Sequence, residues 1–120
     1  MEFGRKIMAA QTLSEEERKL RETAAQVLPA GSFGNEGSGT VIRRGEGGRV
    51  WDVSGNEYVD YLLGSGPMLI GHCHPDVLAA VEEQTPKGST FFSNNEHGIL
   101  LAKDVVDAVA CADKVRFVSS

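Results

Sequence analysis

The chain has 120 residues, a net charge of −5 and 24% charged residues, which suits one small folded domain or a piece of a larger one. It contains neither a run of about 18 apolar residues nor a long basic run, so we expect no membrane span and no binding to nucleic acid. Its two cysteines, Cys73 and Cys111, are too few for a disulfide scaffold and are typical of a reducing compartment, which predicts a cytoplasmic protein.

The first predicted element is a helix. Residues 1–12 carry no periodic pattern and are interpreted as a loose N-terminal arm. Ser14 and Glu17 have the spacing of a capping box, in which the hydroxyl accepts an amide proton and the carboxylate reaches back to the cap amide. The helix should run to about Leu28 and end at Pro29. Its apolar stripe comprises Leu20, Ala24, Val27 and Leu28.

Residues 31–39 form a glycine-rich stretch with four glycines and two serines. Such a stretch can cradle a phosphate when it follows a strand and opens a helix. Here it follows a helix and leads into a predicted strand, Thr40–Arg44. We therefore favour a plain loop, with a phosphate-binding loop as the alternative.

A β-hairpin is predicted next. Two β-rich runs, Val50–Val53 and Tyr58–Leu62, flank the turn-forming segment Ser54–Glu57. The hairpin places two carboxylates, Asp52 and Asp60, on adjacent strands, which is one arrangement used for acid–base catalysis. We favour structural roles, with Asp52 preceding the turn and Asp60 facing outward. The apolar faces should be shared by Trp51, Val53, Tyr58 and Leu62.

Two histidines and a cysteine follow within the segment Gly71–Pro75. His72, Cys73 and His74 are metal-ligating residue types, but neighbouring side chains diverge and no second Cys/His cluster occurs. The favoured interpretation is a turn that leads into a helix with Pro75 at its first position. A metal site is the alternative.

The last part of the chain predicts two helices and a strand. The helices should span about Pro75–Gln84, ended by Pro86, and about Asn95–Ala112, the second with a wide apolar face. Val115–Val118 is typical of a strand, but it has no parallel neighbour in this sequence, so the chain is interpreted as a cut piece of an α/β protein. Five lysines are expected to carry solvated charges: Lys6, Lys19, Lys87, Lys103 and Lys114.

Several segments, taken together, resemble the N-terminal quarter of class III pyridoxal-phosphate (PLP) aminotransferases. The resemblance is greatest to the glutamate-1-semialdehyde 2,1-aminomutase group and its aminotransferase relatives. The matching segments keep the family's order and approximate spacing over most of residues 40–120. They are Gly45–Asn56, Glu57–Tyr61, Gly66–Met68, Gly71-His72 with His74-Pro75, and Lys114–Ser120.

The resemblance implies an α/β fold, that of a fold-type I PLP-dependent transferase. Residues 13–63 would supply a helix and the β-hairpin of its small domain. Residues 64–120 would begin the large PLP-binding domain and stop at the phosphate loop. It also implies a homodimer that acts on an amino-acid or amino-aldehyde substrate through a Schiff base.

The resemblance also assigns candidate site residues. Ser120 occupies the first position of the family's phosphate-binding motif, at the start of a helix that favours an anion. Ser65 and Gly66 would lie near the substrate, and Ser65 stands where the aminomutases carry tryptophan. Aminotransferase and aminomutase therefore both remain open. No catalytic lysine and no metal ligand are assigned, so this chain should be inactive alone and hold PLP only weakly.

A different class of function is compatible with the same sequence. The alternative is a non-catalytic helix–hairpin module that acts by association, and a metal-binding domain is a third interpretation. Whether the reading frame continues beyond Ser120 distinguishes the first two.

Overall fold

The computed structural model describes residues 12–33 and 39–118. The chain divides into two compact units, Met1–Leu78 and Ala79–Ser120. The predicted arm, apart from Thr12, lies outside the described residues, as do residues 34–38 of the glycine-rich stretch and Ser120. None of the helices in the described ranges is long and apolar enough to cross a membrane.

The first unit contains one helix and a three-stranded antiparallel sheet. Helix α1 spans Glu15–Val27, and strands β1, β2 and β3 span Ile42–Glu46, Arg49–Asp52 and Glu57–Val59. The strands lie in the order β1-β2-β3, with a register irregularity between Ile42 and Arg44. The predicted first helix and hairpin are confirmed, whereas the first strand begins two residues later than predicted.

The hydrophobic core in the described ranges is small. Of the hydrophobic residues in these ranges, only Val50 and Val53 are buried. Trp51 is half-buried, with the Arg44 guanidinium stacked 3.5 Å from its ring centroid. The prediction that Leu62 joins this apolar face is wrong, because β3 ends at Val59 and Leu62 is 52% exposed.

Two further helices follow. Helix α2 spans Pro75–Gln84 and crosses the boundary between the units, and helix α3 spans Glu96–Ala108 in the second unit. The Asn95 side chain accepts a hydrogen bond from the Gly98 amide at 2.8 Å and caps α3. Lys103 pairs with Asp107 one turn along the same helix. Neither helix buries a single residue.

The predicted strand at Val115–Val118 is wrong, since this segment pairs with no strand in the described parts of the chain. A strand forms only when its amide and carbonyl groups find a partner, and apolar character does not supply one. Helix α3 likewise ends at Ala108 rather than at Ala112. The sheet is small and antiparallel, so the described residues contain no parallel sheet of an α/β domain.

Candidate functional site

Glu17 is the most deeply buried side chain among the described residues. Its side chain is fully buried, and its carboxylate accepts hydrogen bonds from both the amide and the hydroxyl of Ser54, the amide at 3.2 Å. The Val41 amide at 3.3 Å and the Arg21 guanidinium at 2.6 Å donate to its other oxygen. We call Glu17 with these three partners the Glu17 cluster. It joins α1 to the hairpin turn and to the residue before β1.

The predicted capping box is therefore only half correct. Ser14 caps α1 by accepting a hydrogen bond from the Glu17 amide at 3.1 Å. Glu17 does not reach back to Ser14, whose amide donates instead to the Ser54 hydroxyl at 2.8 Å. The local spacing predicts the helix start correctly. The Glu17 carboxylate, however, binds residues that are distant in the chain and not the Ser14 amide.

The electrostatics of Glu17 follow from these contacts. Burial by itself would raise the pKa of this carboxyl. Hydrogen bonds from Ser54, Arg21 and the Val41 amide outweigh burial, so the pKa of Glu17 lies below its usual value. The group is a carboxylate near neutral pH and acts as a rigid acceptor.

Asp52 organises the turn between β2 and β3. It is 2% exposed and accepts hydrogen bonds from the Asn56 amide at 2.7 Å, the Asn56 side chain at 2.8 Å and the Tyr58 hydroxyl at 2.7 Å. Burial would raise its pKa, but these bonds outweigh burial and lower it. The hydrogen bond that the Tyr58 hydroxyl donates to Asp52, together with burial, raises the pKa of Tyr58. The arrangement stiffens the turn.

Asp60 contradicts the prediction that it faces outward. Only 14% of its side chain is exposed, and its Oδ2 lies 2.6 Å from Nε2 of His72. Its Oδ1 accepts hydrogen bonds from the amides of Leu62 and Leu63, both at 2.9 Å. The alternation of side chains along a strand does not predict the direction of Asp60, because β3 ends at Val59, one residue earlier. The bond from His72, supported by the backbone bonds, lowers the pKa of Asp60.

The turn around His72 packs against the turn between β1 and β2. The backbones of Gly47 and His72 exchange two hydrogen bonds of 2.9 and 2.8 Å. A Cβ at Gly45 would lie 2.6 Å from the His72 ring, and one at Gly71 would lie 2.7 Å from the Gly47 carbonyl oxygen. Both positions therefore require glycine for close packing.

The structure does not gather His72, Cys73 and His74 around one point. His72 contacts Asp60, Cys73 is exposed, and His74 accepts a hydrogen bond from the Asp76 amide at 3.3 Å. In residues 12–33 and 39–118, no three Cys, His, Asp or Glu side chains are grouped as a metal site requires.

Ser65 and Gly66 lie in an exposed loop between β3 and α2. A short 3₁₀ turn spans Leu63–Ser65, and four consecutive residues from Leu63 to Gly66 have positive φ. Ser65 donates its amide to the Leu62 carbonyl at 2.9 Å, and Gly66 to that of Leu63 at 3.3 Å. The loop presents the two residues on the surface of the first unit.

The described residues do not fit PLP by themselves. A Schiff-base lysine needs burial or cationic neighbours, but the described lysines are exposed. Three of them, Lys19, Lys87 and Lys103, pair with carboxylates on their own helical segments. No buried side-chain polar atom in the described ranges lacks a hydrogen-bond partner.

The pH dependence of stability should show what the Asp52 contacts contribute. Because the pKa of Asp52 is lowered on folding, its contribution is present above the unfolded value of 3.8 and is lost as the pH falls through the folded value. Asp52→Asn should therefore lower the melting temperature of the protein more at about pH 6 than at about pH 3. Thermal melts at both pH values test this. Asp104→Asn, at an exposed position on α3, is the control, and an equal loss for Asp52→Asn at both pH values would contradict the prediction.

Comparison with known proteins identifies relatives of the chain. The family model described as aminotransferase class-III matches residues 33–120. Glutamate-1-semialdehyde 2,1-aminomutase of Anaeromyxobacter dehalogenans is 41% identical over 114 residues, which cover 89% of this chain and 26% of that protein. The chain thus spans about a quarter of the length of the curated relatives it matches.

Solved structures share the fold over a similar region. An omega-transaminase from Sphaerobacter thermophilus matches with a TM-score of 0.74 and 28% identity, over 82% of this chain and 23% of its own. The FumI protein of Sphingopyxis sp. MTA144, solved in its PLP internal aldimine form, matches with a TM-score of 0.73 and 31% identity. That match covers 84% of this chain and 26% of the other.

Proposed function

Because the chain belongs to the class III aminotransferase family, we propose that it is the N-terminal part of a PLP-dependent aminotransferase or aminomutase. The observation that carries the proposal is the family match over residues 33–120. The match to the aminomutase named above covers only 26% of that protein's length. The exposed, ion-paired lysines support the further proposal that this part alone is inactive. PLP, when bound by the complete enzyme, would supply the electron sink for moving an amino group.

We propose that residues 13–63 belong to the small domain of the enzyme and residues 64–120 to the start of its large PLP-binding domain. This assignment rests on the sequence resemblance. The two compact units divide later, between Leu78 and Ala79. Ser120 is proposed to contribute to the phosphate cradle, which the rest of the enzyme would complete. The complete enzyme is further proposed to be a cytoplasmic homodimer.

The proposed substrate is an amino acid or an amino-aldehyde, with Ser65 and Gly66 near its binding site. The curated relative named above is an aminomutase, whereas the two solved structures include a transaminase. Ser65 stands where the resemblance places the tryptophan of the aminomutases, so aminotransferase and aminomutase both remain proposals. Assays of the full-length protein for isomerisation of glutamate 1-semialdehyde and for amino transfer to a 2-oxo acid separate the two reactions.

Borohydride trapping should locate the cofactor lysine. Treated with PLP and borohydride, the 120-residue chain should be labelled weakly and at several lysines, because exposed ammonium groups are mostly protonated at neutral pH. The full-length protein should instead carry one stoichiometric adduct, at a lysine beyond residue 120. Peptide mapping by mass spectrometry reads out both. One stoichiometric adduct within residues 1–120 would overturn the proposal, and no specific adduct in the full-length protein would favour the association module.

A further inference from the structure

The loop of residues 61–71 is closed at its base. At its entry, the Asp60 amide donates to the Gly48 carbonyl at 2.9 Å. At its exit, His72 exchanges two backbone hydrogen bonds with Gly47. Both ends of the loop are therefore held by the same turn between β1 and β2.

One pair of side chains joins the two ends directly. Oδ2 of Asp60 and Nε2 of His72 are 2.6 Å apart, and both side chains are largely buried, with 14% and 23% of their surfaces exposed. Because Asp60 is a carboxylate near neutral pH, it can only accept, so Nε2 of His72 carries the proton and donates. A charge-assisted bond at a partly buried site is stronger than one between neutral groups.

Asp60 also determines the conformation inside the loop. Its Oδ1 accepts the amides of Leu62 and Leu63, which begin the 3₁₀ turn Leu63–Ser65. Leu63 and Ser65 have φ values of 48° and 63°, in a region that side-chain-bearing residues rarely occupy. Such a conformation persists only where surrounding contacts hold it.

We propose that Asp60 and His72 are positioning residues, whose hydrogen bond clamps the loop so that Ser65 and Gly66 are presented to the substrate. The proposal rests on the proposed function for the nearness of these two residues to the substrate. The clamp itself rests on geometry, because one carboxylate bonds the histidine at the loop exit and the amides that start the strained turn. Gly45 leaves the space that the His72 ring needs, and Gly71 leaves space for the Gly47 carbonyl that accepts the His72 amide.

The test uses the full-length protein with His72→Phe, which keeps a ring beside Gly45 but removes the donor. His72→Gln, whose amide nitrogen can stand in for Nε2, is the conservative variant. His97→Phe, the same replacement at an exposed position on α3, is the matched control. Hydrogen exchange of residues 61–71, bound-cofactor absorbance, KM and kcat are measured for each variant.

We expect His72→Phe to speed exchange of residues 61–71 and to raise KM, each roughly tenfold, with cofactor absorbance and kcat nearly unchanged. In His72→Gln, both the exchange rate and KM should return most of the way to the values of the unsubstituted protein. His97→Phe should change neither quantity. Asp60→Asn should give the same changes in exchange and KM as His72→Phe, and it replaces that variant in the test if His72→Phe does not fold.

Three results would overturn the proposal: unchanged exchange, faster exchange with KM unchanged, or equal defects in His72→Gln and His72→Phe. A full-length protein without amino transfer would instead overturn the proposed function and, with it, the substrate-positioning role. The exchange contrast between Phe and Gln would still decide in that case whether the pair holds the loop.

Discussion

Replacing Glu17 by alanine should open the contact between α1 and the hairpin. The carboxylate accepts hydrogen bonds from Val41, Ser54 and Arg21, and without it the Val41 and Ser54 amides lose their acceptor. Leaving several partly buried donors unpaired costs about 3 kcal/mol. Where exchange follows the local opening equilibrium, a loss of that size corresponds to roughly 100-fold faster exchange, since 1.4 kcal/mol is about tenfold in an equilibrium constant.

Hydrogen exchange of the peptides that contain Val41 and Ser54, in the full-length protein, measures this effect. Glu22→Ala is the matched control, because Glu22 lies on the same helix and its ion pair with Arg18 is exposed. An exposed pair of this kind contributes little to stability, so exchange should change less than about threefold. Similar exchange in the two variants would show that the Glu17 cluster does not hold α1 to the hairpin.

The 120-residue chain by itself should bind a hydrophobic dye strongly and should aggregate or remain loosely packed. Helices α2 and α3 bury no residue, and several large apolar side chains of the second unit are half or more exposed. These include Phe91, Phe92, Ile99, Leu100, Leu101 and Phe117. Contiguous apolar surface of this kind is rare on soluble monomers beyond a few hundred Å².

Dye fluorescence per mole should be roughly tenfold higher for the chain alone than for the full-length protein, in which the proposed remainder covers these helices. Analytical ultracentrifugation should show association of the chain alone. The double variant Ile99→Lys/Leu101→Lys should reduce both signals, while Lys103→Glu, on the same helix, should not. A soluble monomer with a sharp cooperative melt would contradict the expectation and favour an independent module.

Membership of the class III aminotransferase family could be predicted from the sequence, because it depends on short segments that follow one another in a fixed order along the chain. Less of the candidate site could be predicted from the sequence. Ser65 and Gly66 were assigned through that resemblance, but nothing in the local pattern indicated the Asp60–His72 pair that closes their loop. A paired Asp and His 12 residues apart carry no local signal, because only the return of the chain brings them together.

The sequence by itself determined the features that depend on near neighbours in the chain. Ser14 and Asn95 cap their helices, and the Gly55-Asn56 turn joins β2 to β3, because each involves only groups a few residues apart. Tertiary structure decided where partners are distant. It turned the Glu17 carboxylate away from the Ser14 amide toward Ser54, and it drew Asp60 inward to His72. A buried carboxylate or a strand edge takes whatever donors the fold brings to it, and local spacing does not specify those donors.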